Sequence, residues 1–374
     1  MKLVFFHNAS FFLYKQKHIF EKFKTLGHDI YLLCPNTDEF FNVMKNDGYQ
    51  VIEIDFKTKN LNPFNNIFLI MRLRKIFKQL DPDFVFTFSI KPNLYSAIAA
   101  KFSNKIKVVP NITGLGYVFM KDSFLTKIVV ALYRYAFKKI KIVFLQNKDD
   151  MELLINVGAI NPKLTKPIVL PGDGVDLNLY TYVGLVEGKC KLNFLFSSRL
   201  LWDKGIRELI DAFKIVKQKY DNISLTIIGA FYHENPTAVP ESYINEQIKF
   251  ANITYLGHVD NVAKVIAESD CMILPSYREG MPRSLLEASS MGRPIITVDS
   301  VGCRDVVEDG VTGYMARVKD VDSLADAMIK FIELPFEQKV AMGRAARMKM
   351  EREFDQKVVV KHYVDLIAKS TGVQ

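Results

Sequence analysis

The sequence predicts an α/β protein built as two consecutive units, each around a parallel sheet. Three observations carry this. At 374 residues the chain can bury two cores of ordinary size. Short apolar runs rich in Val, Ile and Phe alternate with amphipathic stretches of helical length, the pattern of strands covered on both faces. The alternation is interrupted once, by the glycine-bearing polar stretch DGVDLNLYTYVGLVEGKCK at 173–191, and then resumes. The expected units are therefore 1–180 and 181–374.

Taken in order, the strands of the first unit are KLVFF, DIYLLC, QVIEID, DFVFTF, KVVPNI, KIVFLQ and PIVL. Those of the second are NFLFSS, SLTIIG, ITYLG, CMILP and PIITV. The tail KMEREFDQKVVVKHYVDLIAK at 349–369 reads as one or two charged helices, with Phe354, Val358 and Val359 as apolar contacts. Such a tail either closes the second unit or crosses back to the first.

Composition excludes several classes. Hydrophobic residues at 49% and charged residues at 24% fit a globular protein and disfavour disordered, collagenous and coiled-coil chains. The four cysteines, Cys34, Cys190, Cys271 and Cys303, lie far apart without a CxxC pair, which argues against a disulfide framework or zinc site and for a reducing, cytoplasmic compartment. The opening MKLVFFHN is too short for a secretory leader and reads as a first strand. No apolar run reaches the ~18 residues that span a bilayer. The net charge of +9 is uneven: residues 1–180 hold 25 Lys and Arg against 15 Asp and Glu, and the remainder 25 against 26. A basic first unit implies an anionic partner.

Two segments of the second unit carry chemistry. In SYREGMPRSLLEASSMGRPI, at 276–295, a strand end leads through a turn into a helix with Pro282 expected at its first position. Amides at such a start are suited to a phosphate. Glu279 precedes this start and would repel a phosphate, so it should address another part of a ligand. Glu287 shares a face with Arg283 and Ser284 one turn deeper, within reach of ribose hydroxyls. The ordinary reading is an exposed Arg283–Glu287 pair, contributing about 0.3–0.5 kcal/mol. A second segment, FLFSSRLLWDKGIRELIDAF at 194–213, shifts the balance. Arg199 leaves a strand end and Lys204 opens a helix, placing two cations where an α/β sheet binds its ligands.

Together SRLLWDKG, LTIIGAF, LPGDGVDLNLY and the block from ITYLGHVD to VTGYM resemble glycosyltransferase family 4, retaining enzymes of the GT-B fold, with Glu279 and Glu287 as the EX7E pair. The resemblance implies two Rossmann-like domains facing a central cleft and a nucleotide-sugar donor, expected to be a UDP-sugar. It assigns Arg199 and Lys204 to the departing diphosphate and Glu279 to the donor sugar. Gly280, Met281, Arg283 and Ser284 fall to the sugar and phosphate, and Glu287 to the nucleotide ribose. No metal cofactor is expected, and the acid pairs DPD at 81–83 and DVD at 320–322 read as turns or caps.

In the first unit, FFHNASFFLYKQKHIFEKF at 5–23 corresponds to an acceptor-facing loop in relatives, where Asn8, Tyr14 and Lys17 take the matching places. Many relatives have paired glycines where this chain has NAS. The segments FSIKPNLYSAIAAK and PNITGLGYVF, with GCRD at 302–305, are similar to α-1,3-N-acetylgalactosaminyltransferases acting on undecaprenyl diphosphate-linked sugars. Lys91, Asn93 and Thr113 are thereby acceptor-site candidates, with turn or cap roles as the alternative. The helical stretch 124–144 sets Ile128, Val129, Leu132, Tyr135 and Ala136 among Lys127, Arg134, Lys138, Lys139 and Lys141, and RLRKIFK at 72–78 adds charge. It fits either docking on an anionic inner membrane or a core helix with a solvated basic face. No nucleic-acid motif accompanies the charge, so a nucleic-acid partner is not expected. The expectation is a retaining transfer of N-acetylgalactosamine or another N-acetylhexosamine from a UDP-sugar to a polyprenyl diphosphate-linked saccharide. The rivals are a sugar-nucleotide epimerase of the same fold and a non-catalytic nucleotide- or membrane-binding protein.

Overall fold

The computed structural model describes residues 1–54, 63–115, 119, 124–233, 235–250 and 252–371. The chain divides into two units: Met1–Asp173 together with the segment from Val359 onward, and Gly174–Val358. The division falls earlier than residue 180, because Val175 already belongs to the second unit, exchanging backbone hydrogen bonds with Phe354 and Gln356. The C-terminal helix Gln356–Thr371 begins in the second unit and completes the first.

The first unit is a seven-stranded parallel sheet of β1 (Lys2–Phe6), β2 (Asp29–Cys34), β3 (Gln50–Glu53), β4 (Phe84–Phe88), β5 (Lys107–Ile112), β6 (Ile142–Leu145) and β7 (Lys166–Val169), in spatial order β3-β2-β1-β4-β5-β6-β7. Alternate residues feed two separate cores. Val4, Phe6 and Val85 join Tyr133, Ala136 and Phe137 on one face, whereas Leu3, Phe5, Phe84 and Phe86 join Phe20, Phe23, Val359 and Tyr363 on the other. Apolar side chains on both faces explain why these strands read as continuous hydrophobic runs. The C-terminal helix covers the second face, where Tyr363 packs 5.2 Å from Phe86 and 4.9 Å from Phe144, ring centre to ring centre.

The second unit is a six-stranded parallel sheet: β8 (Leu192–Ser197), β9 (Ile223–Ile228), β10 (Ile253–Tyr255), β11 (Cys271–Leu274), β12 (Ile295–Val298) and β13 (Gly313–Ala316), in order β10-β9-β8-β11-β12-β13. Twelve of the strands coincide with the runs read from the sequence. β13 was not among them: GYMA contains no β-branched residue and is an edge strand of four residues, too short for a periodic signal.

Both sheets reverse their winding once, between β1 and β4 in the first unit and between β8 and β11 in the second. At such a reversal the loops leaving the two adjacent parallel strands diverge, which opens a crevice at their C-terminal ends. Each unit therefore carries one preferred ligand position, and the sequence motifs can be tested against it.

Candidate active site

In the second unit the reversal lies between the strands that precede the two charged segments. The chain leaves β8 through Ser198 and Arg199 into the 3-10 turn Trp202–Lys204, and leaves β11 through Pro275–Met281 into the helix Arg283–Ser290. These loops meet. The Lys204 Nζ donates to Glu279 Oε1 at 2.5 Å, with the lysine 7% and the glutamate side chain 16% exposed. Two glycines permit the approach. Gly205 has φ +73°, and a Cβ there would lie 2.2 Å from the Pro275 carbonyl oxygen; a Cβ on Gly302, from the GCRD segment, would lie 2.6 Å from the carbonyl oxygens of Glu279 and Gly280. The Glu279 amide donates to Val301 O at 2.9 Å, tying the loop to the segment after β12.

The surroundings hold this pair in place. Tyr277 donates its phenol to Glu208 Oε1 at 2.6 Å, and its amide to Asp203 O at 2.9 Å. Thr237 donates to Asp203 Oδ1 at 2.6 Å. Cys303 is fully buried, and burial, with the Glu279 charge as the next cause, pushes its thiol up to about 12. It is a neutral packing residue at physiological pH. An ammonium has three hydrogens, so donating one to Glu279 orients Lys204 while leaving donors for an anion.

Pro282 is the N-cap, with φ −74° and ψ 104°, and Arg283 the first helical residue, one position later than the sequence suggested. Rigid proline still sets the entry angle, with Gly280 and Met281 in the turn before it and Ser284 in the first helical turn, ahead of any carbonyl within the helix. Glu287 faces Arg283, Oε1 to Nε 3.9 Å. Sequence reasoning missed its other neighbour. Tyr180 packs beneath this helix, its carbonyl accepting from Ser290 Oγ at 2.6 Å and from Arg347 Nη1 at 2.9 Å. Burial first and the Glu287 carboxylate second raise the Tyr180 phenol well above its ordinary value, so it stays a donor to Glu287. The signal lay in LNLY, at the end of LPGDGVDLNLY, which the sequence reading counted toward the family resemblance without naming Tyr180 as a site residue. Arg199 is exposed, its guanidinium 5.3 Å from the centre of the Tyr232 ring on the loop after β9. It shares the C-terminal edge with Lys204 while making its described contact on the β9 side.

The first unit places its candidates unevenly. Asn8 follows β1 and accepts a hydrogen bond from Ser89 Oγ, after β4, at 3.1 Å, so this pair closes the crevice of the first sheet. Ser89 has φ 72° and ψ 162°, a backbone conformation that costs about 1–3 kcal/mol for a residue with a side chain. Buried His7 stacks between Phe12 and Phe88, with centroids at 5.5 and 6.2 Å, and its Nδ1 accepts from the Ala9 amide at 3.1 Å. Burial lowers its pKa to about 3, so the ring is neutral. Ser89 did not stand out in the sequence, and His7 did so only as one of three first-unit histidines, with His18 and His28, that an epimerase would need to bring together. Thr113 and Lys91 sit half-buried on the same C-terminal edge, after β5 and β4, and burial lowers the Lys91 pKa.

Three acceptor candidates are committed elsewhere. Asn93 is fully buried: its Oδ1 accepts from Thr87 Oγ1 at 2.7 Å and its Nδ2 donates to Asn111 O at 2.8 Å. Asn111 in turn accepts from Tyr363 Oη. Asn93 is thus neither an acceptor contact nor a turn residue but the link that joins the helix Ile90–Ala99 to β4, β5 and the C-terminal helix. Lys17 pairs with Asp47 at 2.8 Å and Glu21 at 3.5 Å, and the Asp47 hydrogen bond raises its pKa. Tyr14 packs on Phe40 at 4.9 Å, with the Lys17 ammonium 5.4 Å from its ring centre. Of the acid pairs, Asp320 caps the helix Val321–Glu333 by accepting from the Ser323 amide at 2.8 Å. Asp83 accepts from the Lys2 amide at 2.9 Å. Among the described residues no three His, Cys, Asp or Glu side chains gather as metal ligands.

Known families match both units. Residues 186–349 match the family described as glycosyl transferases group 1, and residues 2–147 the one described as glycosyl transferase 4-like. The chain belongs to these glycosyltransferases. A relative in Campylobacter jejuni, N,N'-diacetylbacillosaminyl-diphospho-undecaprenol alpha-1,3-N-acetylgalactosaminyltransferase, is 24% identical over 98% of each chain. The Escherichia coli UDP-Gal:alpha-D-GlcNAc-diphosphoundecaprenol alpha-1,3-galactosyltransferase is 23% identical over 83% of this glycosyltransferase and 82% of its own length. Anabaena Alr3699/HepE, solved in complex with UDP and glucose, superposes with a TM-score of 0.79 at 16% identity, covering 99% of this chain and 100% of that one. That likeness shows the fold, two Rossmann-like units of the GT-B class.

The helix Phe124–Ala136 is amphipathic, with one side in the core and the other open to solvent. Tyr133 and Ala136 are buried in the core, while Ile128, Leu132 and Tyr135 are exposed. On the helix Pro63–Leu80, Leu73 and Phe77 are buried and Ile67, Phe68 and Met71 exposed. No helix among the described residues is long and apolar enough to cross a membrane.

Proposed function

We propose that this glycosyltransferase moves an N-acetylhexosamine, N-acetylgalactosamine foremost, from a UDP-sugar to an undecaprenyl diphosphate-linked saccharide with retention of configuration, in bacterial glycan assembly. The observation that carries the reading is the Lys204–Glu279 contact at the winding reversal of the second sheet. It sets a cation and a carboxylate side by side where a sugar diphosphate would present opposite charges as its bond breaks. The lipid-linked acceptor and the sugar are supported by the Campylobacter relative, which aligns over nearly the whole chain.

In this reading the bond between the anomeric carbon and the diphosphate oxygen breaks, and charge separates. Lys204, with Arg199 on the same edge, stabilises the departing diphosphate, and Glu279 faces the electron-poor sugar. Glu287, held by Tyr180 and Arg283, receives the ribose hydroxyls. The acceptor hydroxyl attacks the face the diphosphate leaves, its proton passing to the diphosphate oxygen, so no enzymic nucleophile and no metal is needed. Acceptor binding falls to the first unit, through Asn8, Lys91 and Thr113. The exposed apolar side chains among lysines and arginines on its helices support peripheral attachment to the anionic cytoplasmic face of the inner membrane.

The test is a panel of UDP-sugars incubated with polyprenyl diphosphate-linked saccharides, with product mass and anomeric configuration read by mass spectrometry and NMR. An acceptor extended by one α-linked N-acetylhexosamine is expected. Inversion, or nucleotide-sugar turnover without an extended acceptor, would reject the reading.

A further inference from the structure

The first unit carries a second cavity at the N-terminal edge of its sheet, the end opposite the loops that hold Asn8, Ser89 and Thr113. It has a volume of about 560 Å³ and lies among the starts of β4, β5 and β6, the end of the helix Ile90–Ala99 and the end of the C-terminal helix. Its walls are apolar, including Phe84, Ile106, Val108, Ile140 and Leu366. Five lysines line it, Lys101, Lys107, Lys138, Lys139 and Lys141, and among the described residues no acidic one does. The nearby acid Asp81 is already paired with Lys105, and Asp83 accepts from the Lys2 amide.

Two features separate this cavity from a merely solvated basic face. Lys101 and Lys107 lie over aromatic rings, Tyr135 at 3.3 Å and Phe84 at 5.1 Å from the ring centres, so these two ammonium groups are positioned by rings beside the cavity, Lys101 half-buried and Lys107 exposed. In addition, Phe102, adjacent to the lining residue Lys101, is 73% exposed, and Tyr135 and Leu132 lie exposed on the helix that leads into Lys138 and Lys139. Water solvates lysines well but gains nothing from a deep apolar wall and a ring of exposed large side chains. An amphiphile with an anionic head and hydrocarbon chains satisfies all three.

We propose that this cavity binds an anionic phospholipid, its phosphate on the lysines and the first segments of its chains against the apolar wall, while Phe102, Leu132 and Tyr135 enter the surrounding lipid. The site extends the membrane attachment proposed above and rests on it. It stands apart from the transfer chemistry. Lipid bound there ties the N-terminal edge of the first sheet to the bilayer surface.

The experiment uses the full chain and vesicles of phosphatidylcholine with or without phosphatidylglycerol. It compares wild type with a Lys138→Gln, Lys139→Gln, Lys141→Gln triple variant and with a charge-matched control, Lys22→Gln, Lys45→Gln, Lys249→Gln, none of which lines the cavity. Loss of about tenfold or more in affinity for phosphatidylglycerol vesicles in the cavity variant, with the control within about twofold of wild type, is the expected result. Equal loss in both triples would overturn the proposal, since it would reduce the effect to net charge. A second arm titrates soluble dihexanoyl phosphatidylglycerol and inorganic phosphate. The lipid should bind saturably and at least about tenfold more tightly, and equal binding would reassign the cavity to free phosphate and overturn the lipid. Transfer to a short, water-soluble acceptor analogue should be the same in all these variants, so failure of that reaction would count against the proposed function and not against the lipid site.

Discussion

The two winding reversals occupy equivalent places in similar sheets, yet one is bridged by an ion pair and the other by a neutral hydrogen bond. After β8 and β11 a lysine and a glutamate touch. After β1 and β4 the contact is between Asn8 and Ser89, beside an uncharged His7. The difference follows from what each edge is proposed to handle. A leaving diphosphate and a developing sugar cation need fixed charges of both signs, and a partly buried site makes such charges act strongly. An incoming hydroxyl needs only to be oriented, for which neutral donors and a strained, well-fixed loop suffice. The first edge should therefore govern turnover, and the second acceptor binding.

The largest break in this contrast is expected from Glu279→Gln, which keeps the shape and removes the charge: turnover should fall about 10²–10³-fold in a coupled UDP-release assay with acceptor present. Asn93→Ala tests the opposite assignment, a residue offered by sequence as an acceptor contact and found inside the core. It would leave the Thr87 hydroxyl and the Asn111 carbonyl without their partner, and should cost about 2–3 kcal/mol in urea unfolding. Acceptor KM measured below the melting temperature should stay unchanged.

Ser89→Gly probes the neutral edge. It relieves the positive φ and deletes the hydrogen bond to Asn8, so thermal stability should hold or rise while acceptor KM increases by up to about tenfold, with kcat nearly constant. A drop in kcat without a change in KM would place Ser89 outside acceptor binding. The last effect concerns stability against pH and leaves turnover at neutral pH untouched. His7 has a folded pKa near 3, below the ordinary value of 6.5, so its contribution to stability is intact above that ordinary value and is lost as pH falls from about 6.5 toward 3. Replacement by Asn should flatten the slope of unfolding free energy against pH in that window by about 1.4 kcal/mol per pH unit.

The same contrast explains what could be read in advance. Lys204 and Glu279 were legible because charges beside buried apolar strands are costly without a purpose, and their spacing from strand and helix starts is local. The strands were legible because two-sided burial makes them uniformly apolar, as with Leu3–Phe6. Ser89 was hidden, and the packing role of His7 with it, because a neutral polar residue after a strand looks the same whether it caps, packs or binds. Asn93 misled for the same reason: it sits on a helix, and its partners Thr87 and Asn111 lie on β4 and β5, a juxtaposition only the fold creates. Tyr180 ends LPGDGVDLNLY, which entered the family resemblance, but it was given no site role, since only the fold brings it under the helix that bears Glu287.

The most direct measurement is calorimetric titration of UDP into the wild-type chain, Lys204→Ala and Glu279→Gln. With Lys204 as the diphosphate contact, Lys204→Ala should weaken UDP about 10–100-fold, the worth of a hydrogen bond to a charged group, and Glu279→Gln should stay within about threefold of wild type. Equal UDP affinity in all three proteins would contradict the assignment of this edge to the diphosphate.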